Sequence, residues 1–208
     1  MPPEDGGVQE DAMRKITILL LIVSMTVLLA GCGSGGSAES ETTLEFKKNG
    51  QVVHTIVEDF SADYYDLDEL ETDVKSQIEE YNTRVGSDRI SLDSSELEDG
   101  TLTMVMTFQG AEDYSSFYRQ ALFCGTVKAA FEAGYDLDIE LNSAQEEGTT
   151  INKQDILDMG ERHIIVVREA IHLKPYADIL YASGDVEVTG DRDAVVTDGQ
   201  SLSYIIFR

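Results

Sequence analysis

Residues 43–57 read TLEFKKNGQVVHTIV, and this stretch predicts the first element of the fold. Two runs rich in apolar and β-branched residues, 43–48 and 51–57, flank the dipeptide Asn49-Gly50. Asn-Gly between such runs is a strong hairpin signal, because both residues tolerate the positive φ angles that a two-residue turn requires. The sequence therefore predicts an antiparallel β-hairpin that turns at Asn49-Gly50.

A two-residue turn also predicts which residues of this hairpin face one another. Phe46 is expected opposite Val53, and Glu45 opposite His54. In this register His54 lies on the exposed face, as a cross-strand partner of Glu45 rather than a metal ligand or a catalytic base. We therefore expect His54 to have a surface role in the hairpin.

A helix is predicted to begin after Asp66 and to end at Gly86. Asp66 and Glu69 have the spacing of a capping box, and acids in the first turn suit the helix dipole. Apolar residues then recur every three or four positions and form one stripe, and glycine readily adopts the left-handed conformation that ends helices. The stripe consists of Leu67, Leu70, Val74, Ile78, Tyr81 and Val85. The acids on the other face are interpreted as a solvated surface.

A second hairpin is predicted at Asp99-Gly100. Its second strand, 102–108, alternates between Leu, Met or Phe on one face and Thr or Val on the other. In its first strand the apolar residues change parity between Leu92 and Leu97, which predicts a β-bulge or a late start of the strand.

The segment from Gly110 to Gly134 is predicted to be a second helix. Its aromatic and small residues have helical spacing and are interpreted as core. Cys124 is interpreted as a buried thiol rather than a reactive one, because unpaired cysteine is among the residue types most often buried. The buried set expected in this helix is Tyr114, Phe117, Ala121, Cys124 and Phe131.

The last third of the chain changes to short strands. Residues 152–159 predict a short helix, 163–168 a buried strand, and 179–207 a run of short strands. Before them, 136–140 alternates acids with Leu and Ile, which is typical of a half-buried strand.

A third hairpin is predicted at Asp198-Gly199, between strands at 194–197 and 203–207. Alternating hairpins and helices leave little room for the long crossovers that parallel strands need. The expected fold is therefore α+β: an antiparallel sheet built from hairpins, two main helices packed on one face, and a strand-rich C-terminal third.

Composition limits the classes of partner. The 208 residues include 40 acids and 15 basic residues, and the formal net charge is −25. Such a charge repels nucleic acid and anionic lipid headgroups, so no nucleic-acid partner is expected. A hydrophobic content of 42% nevertheless provides enough apolar surface for a folded domain.

The N-terminal region has the features of an export signal. Two basic residues precede the apolar run Ile16–Ala30, which is too short to span a membrane as a helix. The run ends in Leu29-Ala30-Gly31-Cys32, which resembles the lipobox of bacterial lipoproteins. The resemblance covers residues 13–32 and implies that a diacylglycerol is attached to the Cys32 thiol and that the signal is cut between Gly31 and Cys32. It implies nothing about activity.

This resemblance sets the expected organisation of the chain. Residues 1–31 are a signal peptide, of which 1–12 carry acids and no base and are interpreted as a mis-assigned start. Residues 32–41 are the lipid anchor and a Gly/Ser-rich tether, and 42–208 form one α+β domain. The expected location is extracytoplasmic, with the chain anchored to the bacterial cell membrane through Cys32. A lipid on Cys32 leaves Cys124 without a partner, so no disulfide framework is expected.

The predicted exported part contains no recognised catalytic or metal-binding motif. His54, His163 and His172 lack the one-turn spacing that a zinc hydrolase needs. The acidic stretches 136–140 and 191–193 do not complete a calcium-binding loop. No catalytic residue, metal ligand or cofactor is therefore assigned.

Aromatic residues give the candidates for ligand binding. Tyr64 and Tyr65 precede the first predicted helix, and Tyr114 and Tyr118 lie near the start of the second. Rings gathered near helix N-termini would line a shallow groove. The structural alternative is core packing, with Tyr64 or Tyr65 as a hydrophobic staple before the Asp66 cap.

Two classes of function remain open. The anchor, the tether and the lack of a catalytic constellation indicate a non-enzymatic lipoprotein that binds a protein or another envelope component. The alternative is a carboxylate-based envelope hydrolase, because glycosidases need only two carboxylates at the right separation.

Overall fold

The computed structural model describes residues 41–62 and 65–208. The signal, Cys32, the tether up to residue 40, and Tyr64 lie outside these ranges, so what the sequence predicts for them stays a prediction. In the described part the strands, in chain order, are β1 (Thr43–Phe46), β2 (Val52–Asp59), β3 (Ile90–Glu98), β4 (Thr101–Phe108), β5 (Leu122–Thr126), β6 (Leu141–Ser143), β7 (Thr150–Ile151), β8 (His163–Val167), β9 (His172–Lys174), β10 (Ile179–Ala182), β11 (Val186–Gly190), β12 (Asp193–Val196) and β13 (Ser203–Phe207). The helices of the same part are α1 (Leu67–Val85), α2 (Ala111–Tyr118), α3 (Val127–Glu132) and α4 (Lys153–Asp158).

The strands divide between two sheets. The larger sheet has seven strands in the order β11-β12-β9-β1-β2-β4-β3, and the smaller has six in the order β5-β8-β13-β10-β6-β7. Neighbouring strands are antiparallel except β1 and β9, which are parallel. The α+β class is confirmed, although the strands form two sheets rather than one.

The first hairpin forms where it was predicted, but the predicted register is wrong by one residue. The amide of Lys47 donates to the carbonyl of Gln51 at 2.9 Å, so the loop contains three residues. Gly50 alone of these three has a positive φ, at +91°. A glycine in the left-handed region at the end of a three-residue loop is the common alternative to a two-residue turn. The observed pairs are Leu44–His54, Glu45–Val53 and Phe46–Val52.

Helix α1 has the predicted ends. The Asp66 carboxylate accepts a hydrogen bond from the amide of Glu69 at 3.1 Å, and Gly86 ends the helix with φ +74°. Because the apolar stripe faces the larger sheet, its central residues are buried, whereas Val85 is exposed. The buried residues are Leu70, Val74, Ile78 and Tyr81.

The second hairpin is also confirmed. Asp99 and Gly100 both have positive φ angles, +50° and +81°, as a two-residue turn requires. The register shifts between Leu92 and Ser94, which is the irregularity that the change of parity predicted.

The prediction of one long helix from Gly110 to Gly134 is wrong, because this segment contains two helices and a strand. Helix α2 ends at Tyr118, because Arg119 adopts a left-handed φ of +58°. The next residues form β5, which pairs with β8, and α3 starts after Thr126, whose hydroxyl accepts from the amide of Ala129. The periodicity of a short apolar run does not distinguish a buried strand from a helix, so the sequence pattern did not indicate β5. Phe131, expected in the core, is 54% exposed.

The structure confirms the short helix, the buried strand and the short strands that were predicted in the last third of the chain. The prediction of a third hairpin at Asp198-Gly199 is wrong. Strand β12 pairs with β11 and β9 in the larger sheet, whereas β13 pairs with β8 and β10 in the smaller. The Asp198-Gly199 segment therefore crosses from one sheet to the other. Residues 136–140 are also not a strand; they keep their alternation in a loop in which Leu137 is buried and the acids are exposed.

Two cores hold these layers together. The first lies between the inner face of the larger sheet, helices α1 and α2, and one face of the smaller sheet. The second lies between the opposite face of the smaller sheet and helices α3 and α4. Alternate residues of β8 divide between the cores: Ile165 and Val167 enter the first, Ile164 and Val166 the second.

The crossover between the sheets leads to a prediction at Gly199. A Cβ atom there would lie 2.5 Å from the backbone nitrogen of Ala170, and φ is +34°. Gly148 is a matched control, because its φ is +77° with no atom within 4 Å of the added Cβ. We expect Gly148→Ala to lower the free energy of unfolding by about 1–2 kcal/mol. Gly199→Ala should lower it by about 1–3 kcal/mol more, because backbone must also move.

Urea unfolding of the two variants and the parent chain measures both losses. Equal losses for the two variants would show that the backbone around Gly199 yields freely, contrary to the tight crossover described above.

Candidate functional site

Of the four tyrosines proposed as a ligand groove, the structure brings together Tyr114 and Tyr118, whose ring centroids are 4.8 Å apart, but it places both in the core. Tyr64 lies outside the described residues. Tyr65 is 44% exposed and its ring stacks on that of Phe60, with 4.6 Å between centroids. Tyr114 and Tyr118 are only 0% and 7% exposed, because they lie one turn apart on the face of α2 that enters the first core. Core packing, the structural alternative, is therefore correct for both.

His54 is at the centre of a polar cluster inside this core. The one-residue change in register places it opposite Leu44 and Met106 on the inner face, where it is 1% exposed. The expectation of an exposed His54 paired with Glu45 is therefore wrong. The imidazole Nδ1 lies 3.2 Å from the Tyr118 hydroxyl, and the rings of Tyr114 and Tyr118 approach it edge-on at 5.4 and 5.3 Å.

Burial keeps the His54 ring neutral. Desolvation lowers its pKa from 6.5 to about 3. The Tyr118 hydroxyl lies within hydrogen-bond distance of both Nδ1 of His54, at 3.2 Å, and the Met106 sulfur, at 3.3 Å. Within the described residues Nε2 of His54 has no hydrogen-bond partner. The ring thus serves as a packing group with one polar contact.

Tyr114 links this cluster to the segment after β8. Its hydroxyl donates to the Glu169 carboxylate at 2.8 Å. Burial raises the pKa of Glu169, and the hydrogen bond from Tyr114 acts in the opposite direction. Burial and the nearby Glu169 together raise the pKa of Tyr114 well above its ordinary value. The phenol therefore remains a donor and ties α2 to the loop between β8 and β9.

Cys124 packs against the same core from β5. Burial raises the pKa of its thiol to about 12, so the nucleophilic thiolate is not formed at neutral pH. The interpretation of Cys124 as a core residue holds, although it lies on a strand rather than on a helix.

The remaining His, Cys, Asp and Glu side chains of the described residues do not form a metal-binding cluster. Among residues 41–62 and 65–208, no three His, Cys, Asp or Glu side chains come together as a metal site. The acids at 136, 138 and 140 point into solvent from a loop. No helix in these two ranges is long and apolar enough to cross a membrane.

The outer face of the larger sheet, which we call the open face, lies opposite the face that packs in the first core. It carries threonines and valines from β2 and β4, and the valines belong to neither core. The alternation of Thr and Val in β4 was visible in the sequence, although the face that it builds was not recognised. The residues at its centre are Val53, Thr55, Val57, Thr103, Val105 and Thr107.

His172 forms a bridge at the open face. Its Nδ1 lies 3.1 Å from a carboxylate oxygen of Glu41, and its Nε2 contacts a carboxylate oxygen of Asp193. The ring of His172 thus links Glu41, which precedes β1, to Asp193 at the start of β12. Partial burial alone would raise the pKa of Asp193, but hydrogen bonds from Thr189 and His172 lower it. No sequence pattern indicated this bridge, since Glu41 and His172 are 131 positions apart.

Comparison of the chain with protein-family models, with curated proteins and with solved structures gave no match in any of the three.

The neutral His54 makes stability depend on pH. The unfolded chain takes up a proton on this ring below about pH 6.5, whereas the folded chain does so only near pH 3. This contribution is therefore fully present above about pH 6.5 and is lost as the pH falls, at up to about 1.4 kcal/mol per pH unit. His54→Gln removes the titrating group.

Urea unfolding between pH 4 and pH 7 tests this prediction. The free energy of unfolding should fall less steeply with acid in the His54→Gln variant than in the parent. Parallel curves for the two chains would mean that the pKa of His54 is the same in the folded and unfolded chains, contrary to its burial.

Proposed function

We propose that the chain is a lipid-anchored extracytoplasmic lipoprotein of the bacterial cell envelope, and that its folded domain is a non-enzymatic interaction module. The observation that carries the proposal is the junction Leu29-Ala30-Gly31-Cys32, which ends the apolar run 16–30 and precedes the Gly/Ser-rich stretch 33–40. Each buried methylene contributes roughly 0.8 kcal/mol, so two acyl chains on one cysteine hold a protein stably at a bilayer.

The state of the interior groups favours binding over catalysis. A general base or nucleophile must come within hydrogen-bond reach of its substrate. His54 is 1% exposed and neutral, and Cys124 keeps its proton. Glu169 accepts a hydrogen bond from Tyr114. These groups stabilise the packing of β2, α2 and β5, which leaves recognition to the surface of the domain.

The anchor can be tested by the mass of the mature protein. Expressed in a bacterium with the full signal, the chain should be found in the membrane fraction. Its N-terminal peptide should start at Cys32 and carry the mass of a diacylglyceryl group. Cys32→Ala should abolish the lipid mass and membrane retention.

The chain provides a matched control in its other cysteine. Cys124→Ala should leave both the lipid mass and the membrane fractionation unchanged, since Cys124 lies in the folded core. An unmodified Cys32, or a mature chain that starts at another residue, would overturn the proposal.

A further inference from the structure

Within the described part of the chain the two sheets end in four edge strands, and three of these edges are protected. Strands β3 and β11 close the larger sheet, and a shift of register interrupts each of them. Strand β3 also carries the acids Asp93, Glu96 and Glu98. Strand β7, at one end of the smaller sheet, has only two residues. Bulges, charges and short length are features that prevent an edge from pairing with another strand.

Strand β5 is the fourth edge, and it has none of these features. Residues 122–126 read LFCGT, carry no charge and pair with β8 without a shift of register. Strand β8 lies between β5 and β13, and its residues 164–167 are at most 1% exposed. In β5, by contrast, residues 123–126 are only partly buried. This difference is what an open edge produces.

The hydrogen bonds to β8 show which backbone groups of β5 point outward. The amide of Arg168 donates to the carbonyl of Ala121 at 3.0 Å. At the other end, the amide of Val127 donates to the carbonyl of Arg162 at 2.9 Å. Hydrogen-bonded and non-hydrogen-bonded pairs alternate along an antiparallel ladder, so the amides of 122, 124 and 126 point away from β8. No strand of the described residues pairs with them.

Two exposed arginines lie at the end where β5 begins. Arg119 ends α2 shortly before β5, and Arg168 follows β8 and bonds to Ala121. Both are exposed, and neither forms an ion pair in the part of the chain that the structure describes. The acid next to them, Glu169, already accepts a hydrogen bond from Tyr114. The start of β5 is therefore a basic site on an acidic chain.

The far end of β5 does not share this charge. Lys128 and Arg162 lie there, but Glu132 and Glu161 are exposed beside them in the sequence. An extended segment on this edge thus meets positive charge at the start of β5 and a mixture of charges at its end. Such a segment is matched by acidic residues at one of its ends.

A second copy of the chain matches the edge less well. Two copies paired through β5 would bring together two chains that each have a formal net charge of −25. Like charges of this size oppose such a contact. A short peptide segment of a larger partner brings little charge to the edge beyond that of its own side chains.

We infer that the edge of β5 binds an extended peptide segment of a partner protein, which adds to the six-stranded sheet as a further strand. The segment has an uncharged stretch as long as β5, five residues, followed by acidic residues. Antiparallel pairing, the slightly more stable arrangement, places those acids beside Arg119 and Arg168. The inference rests on the proposed role as an interaction module, and it names the binding surface and the chemistry of the partner.

The outward amide of Thr126 permits a direct test. Thr126 has a φ of −79°, which proline can adopt. Thr126→Pro removes the amide hydrogen, and Thr126→Ala is the matched control, because both variants lose the hydroxyl that caps α3. The probe is a fluorescent peptide, Thr-Val-Thr-Val-Thr-Asp-Asp, and fluorescence anisotropy measures its binding to the lipidated full chain in detergent. We expect Thr126→Pro to bind this acidic peptide about tenfold more weakly than Thr126→Ala, since a hydrogen bond to the added strand is lost.

The charge match is tested separately. A peptide that ends in Ser-Ser should bind more weakly than the acidic peptide, although the net charge of the chain alone favours the opposite order. Arg168→Glu should weaken binding of the acidic peptide severalfold. Lys48→Glu makes the same change in charge in the loop of the first hairpin, and it should have little effect.

Equal binding to Thr126→Pro and Thr126→Ala, or no binding of the acidic peptide, overturns the β5 site. A dimer in native mass spectrometry that only Thr126→Pro dissociates assigns the edge to a second copy and also overturns it. If Thr126→Pro does not fold, N-methyl groups on alternate residues of the peptide replace it. Methylation of the amides that face β5 should then abolish binding, and methylation of the other amides should not. The lipid mass on Cys32 tests the anchor independently, so failure of the β5 site leaves the anchor intact.

Discussion

Burial of both faces of the smaller sheet is the constraint on which the rest of the structure depends. Residues Ile164–Val167 are all at most 1% exposed, and β13 is buried along its whole length. Burying one aliphatic side chain contributes about 1.5–3 kcal/mol, so exposing one face of these two strands would remove a large part of the stability of a typical domain, about 5–15 kcal/mol. The sheet must therefore have a layer on each side. The larger sheet covers one face, and α3 and α4 cover the other.

This arrangement explains where polar chemistry is found in the molecule. The larger sheet uses only its inner face to cover the smaller one, so side chains of β2 that project inward enter a core whatever their polarity. His54 is enclosed in this way and is kept neutral, and Tyr118 and Tyr114 satisfy part of the polar surface around it. The outer face of the same sheet has no such role in folding. Its small hydroxyl and β-branched residues are therefore not selected by packing in either core.

Local signals explain what the sequence predicted correctly. Helix α1 has its cap at Asp66, its stripe and its end at Gly86 within twenty-one residues, and the Asp99-Gly100 hairpin has both positive φ angles in adjacent positions. The errors arose where distant segments decide the structure. β5 is a strand because β8 pairs with it, and Asp198-Gly199 crosses between sheets because the partners of β12 and β13 lie elsewhere in the chain. Two of the candidate tyrosines, Tyr114 and Tyr118, are buried for the same reason, since the face of α2 that carries them packs in the first core.

A shift of one residue in the first hairpin shows how much function depends on such details. The turn dipeptide was read correctly, but one extra loop residue moves every side chain of β2 to the opposite face. With the predicted register, His54 would lie on the outer face, and the threonine and valine pairs would point inward. With the observed register, the imidazole is enclosed, and Val53 and Thr55 face outward beside Glu45. Which side chains of β2 form the outer face of the larger sheet is thus set by the length of one loop.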